Sequence, residues 1–350
     1  MILLIWLAKW ISSFKGAFLF AEIRGGDGMS EETLHPEIMA QIASELNIKQ
    51  TQVKNVLQLL QEGNTVPFIA RYRKELTGGL DEVVLREISE NWTYAVNLDN
   101  RKQEVIRLID EQGKLTDELK IAIEKSKKLQ EVEDLYRPYR QKRRTKATAA
   151  KEKGLEPLAE WLFALPSSGD VEKEAEKYLL EEHEVHTVED ALQGAKDIIA
   201  EWISDHAEFR KWIRTNTYKK GKLQTSEKDA DKDEKKTYQI YYDYEEMIEK
   251  IVPHRVLAIN RGEKDGVLKT KIVPPTEEIL TYLNSQILTK HTIAESCLKD
   301  AIEDSYKRLI EPSIEREIRG ELTEKAEEQA IHIFSENLKH LLLQPPLKGN

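Results

Sequence analysis

Between Arg137 and Lys153 eight residues are basic and one, Glu152, is acidic. The densest part reads Arg137-Pro138-Tyr139-Arg140-Gln141-Lys142-Arg143-Arg144-Thr145-Lys146, and Lys151 and Lys153 follow. An arginine guanidinium is a planar fork of donors matched to phosphate oxygens, and lysine adds a compact point charge. A loop containing proline and threonine lets several such groups reach one phosphodiester backbone. Tyr136 and Tyr139 are candidates for stacking on a base. The candidate phosphate contacts are Arg137, Arg140, Lys142, Arg143, Arg144 and Lys146. The alternative is a solvated loop whose cations pair with acidic neighbours. A smaller group, Arg71, Arg73 and Lys74 with Tyr72 among them, offers the same chemistry or forms an ordinary helix face.

Catalytic patterns are missing by comparison. The sequence has no G-x-x-x-x-G-K-[ST] phosphate loop, no strand-borne G-x-G-x-x-G, no H-E-x-x-H and no G-x-S-x-G. His183 and His186 could share a metal but have no third ligand in view, and they read as a surface pair. Asp229, Asp231 and Asp233 begin like a calcium loop, yet Glu234 stands where glycine is required and Ile240 where a bidentate glutamate belongs. Cys297 sits beside an apolar helical stripe and reads as core. These residues predict a non-enzymatic protein without cofactor or metal.

The whole chain carries a net charge of −10, so its average field repels phosphate, and a nucleic-acid site must be a local basic patch. The single cysteine excludes a disulfide framework and a cysteine zinc site, and fits a reducing, cytoplasmic compartment. Glycine (16) and proline (11) are scarce among 350 residues, which favours helices over a sandwich or barrel. Residues 1–28 differ from the rest, with Trp6, Trp10 and three phenylalanines but almost no acid. Their apolar run is interrupted by Lys9 and is too short for a membrane span. They are expected to be a non-native upstream extension or a disordered segment, with Met29 as the true start.

The elements that must position the basic residues follow from periodicity. Pro36 opens a first helix carrying Ile38, Ile42 and Leu46. Val53, Val56, Leu57 and Leu60 mark a second, closed by Gly63, and the pair reads as a helix-turn-helix or a plain helical hairpin. Asp81 caps a long helix reaching Gly113, and Thr116 and Gln130 start two more. Helices are predicted at 155–164, 171–181, 188–204 and 206–214, with Thr187 and Asp190 resembling a capping box. Strands are predicted at Tyr218–Thr225 and Thr237–Tyr242, with a hairpin from Val256–Ile259 and Val267–Ile272 around a glycine-bearing loop. Helices return at 276–287, 293–318 and 323–343. The last two carry the stripes Leu298, Ile302, Tyr306, Leu309 and Ile331, Phe334, Leu338, Leu341.

Three long motifs resemble one family. They are Asn64-Thr65-Val66-Pro67-Phe68-Ile69-Ala70-Arg71-Tyr72-Arg73-Lys74-Glu75 with Thr77-Gly78-Gly79-Leu80-Asp81; Lys142-Arg143-Arg144-Thr145-Lys146-Ala147-Thr148 with Ala150-Lys151-Glu152-Lys153-Gly154-Leu155-Glu156-Pro157-Leu158-Ala159; and Ile251-Val252-Pro253-His254-Arg255-Val256-Leu257-Ala258-Ile259-Asn260-Arg261-Gly262. From about Met29 onward the chain resembles the bacterial transcription accessory proteins of the Tex family. The resemblance implies a nucleic-acid-binding transcription factor beginning with an elongated helical region. It also implies an RNase H-like domain and an S1 RNA-binding domain, which this sequence does not reach.

Together these readings predict a mainly α, elongated multi-helix assembly with an N-terminal helix-turn-helix-like part and a small β-containing insertion near 218–272. The expected divisions are 29–136, a basic loop at 137–154, helices at 155–217, an insertion at 218–275, C-terminal helices at 276–344 and a linker at 345–350. The expected partners are RNA or DNA backbones and RNA polymerase or another transcription component, with no membrane. The rival reading is a protein-interaction scaffold that docks on the transcription machinery without touching nucleic acid.

Overall fold

The computed structural model describes residues 35–180 and 185–343; residues 1–28, His183 and the 345–350 linker lie outside them. The fold is mainly α with one small antiparallel sheet. It divides into two compact units, the first up to Val132 and the second from Glu133.

In the first unit α1 (Pro36–Glu45) and α2 (Gln50–Gln61) are joined by a turn in which Asn47 takes the left-handed conformation, φ 53°. Asparagine tolerates this better than most residues, and Ile48 N–H closes the turn on the Ala43 carbonyl at 2.9 Å. After α3 (Val66–Tyr72) and the single turn α4 (Lys74–Thr77) comes the long α5 (Glu82–Asp110), and then α6 (Asp117–Lys125). Asp81 caps α5, its carboxylate accepting from Val84 N–H at 2.9 Å. The core of this unit joins Ile42, Val56, Leu57, Ile69, Leu85 and Ile88.

α7 (Leu129–Tyr136) leads through a 3-10 turn at Arg137–Tyr139 to α8 (Lys146–Glu152), α9 (Glu156–Phe163) and α10 (Val171–Glu176). The second unit is organised on α11 (Val188–Asp205), whose Ala191, Ala195, Ile198, Ile199 and Ile203 are buried. The capping box forms as read: Thr187 Oγ1 accepts from Asp190 N–H at 3.1 Å, and Thr187 N–H donates to Asp190 at 3.2 Å. Close approach of α8 and α9 to α11 demands small residues, and a Cβ at Gly194 would stand 2.3 Å from Leu155 Cδ1.

α12 (Ala207–Lys220) is followed by β1 (Lys222–Glu227), β2 (Asp243–Met247), α13 (Pro253–Lys264) and β3 (Leu268–Val273), with strand order β2-β1-β3. Three strand expectations are corrected here. Tyr218 belongs to α12, and the strand starts at Lys222. Residues 237–242 turn around a 3-10 helix at Gln239–Tyr241 because Asp233 captures the backbone N–H groups of Thr237 and Tyr238, each at 2.7 Å. Burial there runs at a spacing of three, Tyr238 and Tyr241, and leaves Ile240 in solvent. Residues 256–259 are helical, because Pro253 starts α13 and Val256, Ile259 and Gly262 face inward at helical spacing. The chain turns back at Gly266, φ 78°, so β3 pairs with β1 rather than with a hairpin mate.

α14 (Thr276–Ile287), α15 (Glu295–Asp304), a π-helical turn at Ser305–Ile310 and α16 (Glu311–Leu342) complete the unit. Leu298, Ile302 and Tyr306 are buried as the stripe required, but the π turn advances the phase by one residue and buries Ile310 in place of Leu309. α16 runs unbroken through Gly320. Its second stripe, Ile331, Phe334, Leu338 and Leu341, is exposed. Among the described residues no helix is long and apolar enough to cross a membrane.

Candidate nucleic-acid interface

The basic segment is a short bridge between fixed ends within the second unit. At one end Asp134 is buried against Arg210 and Arg214 of α12, with Nε of Arg210 donating at 3.0 Å. At the other, Thr145 caps α8 by accepting from Thr148 N–H at 3.0 Å, and Ala147 and Ala150 are buried. Tyr136 is buried in this arrangement, which removes it as a stacking partner, whereas Tyr139 is half-buried.

Acids from the end of α11 divide the cations into two sets. Asp205 accepts from Arg137 Nε at 3.2 Å and forms a close ion pair with Lys142, whose ammonium also lies 3.4 Å from Glu201. Burial pushes the Asp205 carboxyl above its ordinary pKa, against the pull of Lys142 and Arg137. Burial together with Arg210 lowers the pKa of Arg137. Arg144 pairs with Glu152 at 2.9 Å, and Lys151 with Glu156 at 2.6 Å. Lys146 is exposed but near enough to Asp197 for its charge to oppose the burial that raises that carboxyl. Arg140 and Arg143 are exposed and form no salt bridge among the described residues.

Arg137 and Lys142 thus act as staples that hold the segment on α11, and Arg140 and Arg143 stand between and beside them, open to a ligand. Two guanidinium groups on a restrained loop can grip successive phosphates with little ordering cost. The stapling acids were not singled out from the sequence, since Asp205 lies 63 residues from Lys142 and no local spacing connects them.

In the first unit α3 carries the other basic group. Ile69 is fully buried, which turns Phe68, Arg71 and Tyr72 outward. Arg73 is half-buried, its guanidinium 5.3 Å from the centre of the Phe68 ring, and Lys74 is exposed. Of the acidic residues considered as a calcium loop, Asp229 pairs with Lys232 at 3.1 Å and Asp233 is spent on the 237–242 turn.

Two family models match the chain: the Tex-like protein N-terminal domain over residues 36–110 and the Tex central region over residues 167–334, together more than half of it. The basic segment lies between the two matches. A Bacillus subtilis protein, YdcI, is 61% identical over 311 residues, covering 88% of this chain and 43% of the relative. The transcriptional accessory protein Tex of Neisseria gonorrhoeae is 37% identical over 311 residues, covering 87% of this chain and 41% of its own length. The human S1 RNA-binding domain-containing protein 1 is 30% identical over 332 residues, 89% of this chain and 32% of the relative. The chain therefore spans less than half the length of these relatives, and it belongs to the Tex family, of which it carries the N-terminal and central regions.

Proposed function

We propose that this chain is the nucleic-acid-contacting N-terminal portion of a Tex-like transcription accessory factor, and that it works in the cytoplasm by binding rather than catalysis. The observation that supports this best is the sorting of charge in the basic segment. An acidic chain leaves Arg140 and Arg143 at an exposed loop without a salt bridge among the described residues, while Arg137 and Lys142 hold that loop in place. Such contacts position a duplex or strand without reading its sequence. The names of the relatives, a transcriptional accessory protein and an S1 RNA-binding protein, point the same way.

The test is fluorescence anisotropy of the chain with labelled duplex DNA and single-stranded RNA across a salt series, beside the variant Arg140→Gln/Arg143→Gln. Loss of two phosphate contacts lowers the slope of log K against log salt on duplex by about 1.8. An unchanged slope and affinity would contradict the assignment of this loop. Hydrolysis of RNA or nucleotide by the purified chain would contradict a purely binding role.

A second reading, docking on RNA polymerase or another transcription component, is favoured by the exposed stripe of Ile331, Phe334, Leu338 and Leu341 on α16. Substitution of aspartate at Phe334 and Leu338 that abolishes association with polymerase, with nucleic-acid binding intact, would support docking as the primary role.

A further inference from the structure

The α3–α4 corner of the first unit displays a combination that its own fold does not use. Phe68 and Tyr72 sit one helical turn apart with ring centres 5.2 Å apart and planes tilted by 46°. Tyr72 is 61% exposed, Phe68 37% and Leu76, on the next turn, 47%. Arg71 and Lys74 flank Tyr72, are exposed, and form no salt bridge among the described residues. Glu75 is the one acid within residues 64–80.

This corner is held firmly. Thr65 caps α3, accepting from Phe68 N–H at 3.4 Å, and Pro67 presets its first turn. From α2, Gln52 donates to the Thr77 carbonyl at 2.9 Å and Asn55 to the Leu76 carbonyl at 2.7 Å. Gly78 ends α4 in the left-handed conformation, φ 69°, where a Cβ would stand 2.6 Å from Gln52 Nε2. An exposed Tyr72 ring on a rigid support costs hydration free energy unless something covers it.

We infer that this corner is a single-strand platform, in which a base stacks on Tyr72 while Arg71 and Lys74 hold the flanking phosphates. The occupant is a nucleic-acid single strand because exposed cations, without a salt bridge among the described residues, border an exposed aromatic face in a chain that is otherwise acidic. Arg73 occupies the Phe68 ring, which leaves Tyr72 as the open stacking face. The inference rests on the nucleic-acid reading above but uses residues separate from the 137–146 segment.

The experiment compares binding of the full chain to a dT12 oligomer, a U12 oligomer and a 12-unit abasic oligomer of the same backbone charge. The variants are Tyr72→Ala, Tyr72→Phe and Arg140→Gln/Arg143→Gln. The expected result is tighter binding of base-bearing strands than of the abasic one. Tyr72→Ala then weakens dT12 or U12 about 5- to 150-fold, the range for one lost stack, and Tyr72→Phe retains the affinity. A preference between dT12 and U12 that survives in Tyr72→Phe identifies which strand is used. Equal binding of abasic and base-bearing strands, or a Tyr72→Ala variant that binds like the parent, overturns the platform. If duplex binding through Arg140 and Arg143 persists in that case, only the platform has failed. Binding of dT12 through Tyr72 with no effect of the Arg140 and Arg143 changes supports the platform as a site separate from the loop, whose own test is duplex binding. A Tyr72→Ala variant with altered sedimentation mass and unchanged strand binding overturns the platform in favour of a second copy as the occupant. Tyr72 is exposed, so its truncation leaves the core in place, and an unchanged thermal melt verifies this.

Discussion

The buried charge cluster that anchors the start of the basic segment gives the most demanding prediction, the effect of Asp134→Asn. Arg210 is fully buried and Asp134 almost so. Asp134 Oδ1 accepts from Arg210 Nε at 3.0 Å and Arg214 at 3.1 Å, and its second oxygen faces Arg214 at 2.9 Å. Glu317 accepts from Arg210 at 2.6 Å and from Arg214 at 2.9 Å, so two acids balance two cations. Asparagine keeps one acceptor but presents an amide N–H₂ to Arg214 and leaves a net positive charge. Arg210 Nη1 is buried with no hydrogen-bond partner among the described residues, so no spare acceptor takes over. Breaking such a pair costs about 3–5 kcal/mol. The low end, about 3 kcal/mol, applies here because the Arg214 and Glu317 side chains retain 17% and 22% exposure and water screens them. The assay is urea unfolding followed by tryptophan fluorescence, since Trp161, Trp202 and Trp212 report on the second unit. The midpoint should fall by about 1 M or more for m up to about 3 kcal/mol/M. The double variant Arg210→Met/Asp134→Leu, which leaves Arg214 and Glu317 as a balanced pair, should lose less than the sum of its single changes. A loss under about 1 kcal/mol for Asp134→Asn, or strict additivity in the cycle, would refute the cluster as a desolvated network.

Three further outcomes follow from local geometry. Gly194→Ala should destabilise the second unit by about 1–3 kcal/mol, measured by the same unfolding curve, because its methyl meets Leu155 at 2.3 Å and Ala150 at 3.3 Å. Burial raises the folded pKa of Asp205 above its unfolded value, so folding favours its neutral form; the stability of the parent relative to Asp205→Asn should fall as pH rises from below 4 through the raised value. A difference that grows with pH would mean that attraction to Lys142 and Arg137 outweighs burial. Asp233 runs the opposite way: burial raises its pKa, but the N–H groups of Tyr238 and Thr237 and the Tyr242 hydroxyl outweigh it and leave it lowered. Its contribution should be present above the ordinary carboxylate pKa and be lost as pH falls through the depressed value, as read from denaturation of Asp233→Asn beside the parent.

The helical part of the fold was legible because its signals are local. Asp81, Thr116 and Thr187 each cap the helix that follows them, and the apolar positions of α2 and α11 repeat at the helical period. The misread segments share one cause, a specific side-chain contact or backbone constraint that overrides the generic preference of the residues. Thr237–Tyr242 is rich in strand-formers, yet a single carboxylate four and five residues upstream folds it into a turn. Gly262 looked like a turn glycine but serves packing, since a Cβ there would stand 2.6 Å from Leu268. Leu309 lost its place to Ile310 through a π turn just ahead of Pro312, whose missing N–H makes a regular helical bond impossible at that point. Periodicity also cannot tell a stripe that packs from one that does not, which is why Phe334 and Leu338 form as regular a stripe as Leu298 and Ile302 yet stand in solvent.

The candidate interface was legible in composition and illegible in economy. Eight basic residues can be counted from the sequence, but their availability depends on acids brought in by the fold. Asp205 and Glu201 arrive from the end of a helix that begins at Val188, and together they pair with Arg137 and Lys142. A cation already held by a buried carboxylate gains little from a phosphate, because it must give up one partner to accept another. An exposed, unpaired guanidinium exchanges only water and mobile counterions, and their release is what drives binding at low salt. Arg140 and Arg143 therefore carry the nucleic-acid reading despite being a minority of the basic run. Restoring charge elsewhere provides the closing check: Asp205→Asn frees Arg137 and leaves Lys142 to Glu201 alone, and if availability rather than count governs affinity, it should steepen the salt dependence of duplex binding beyond that of the parent. A flatter or unchanged slope would mean that the staples matter more for holding the loop than for withholding its charge.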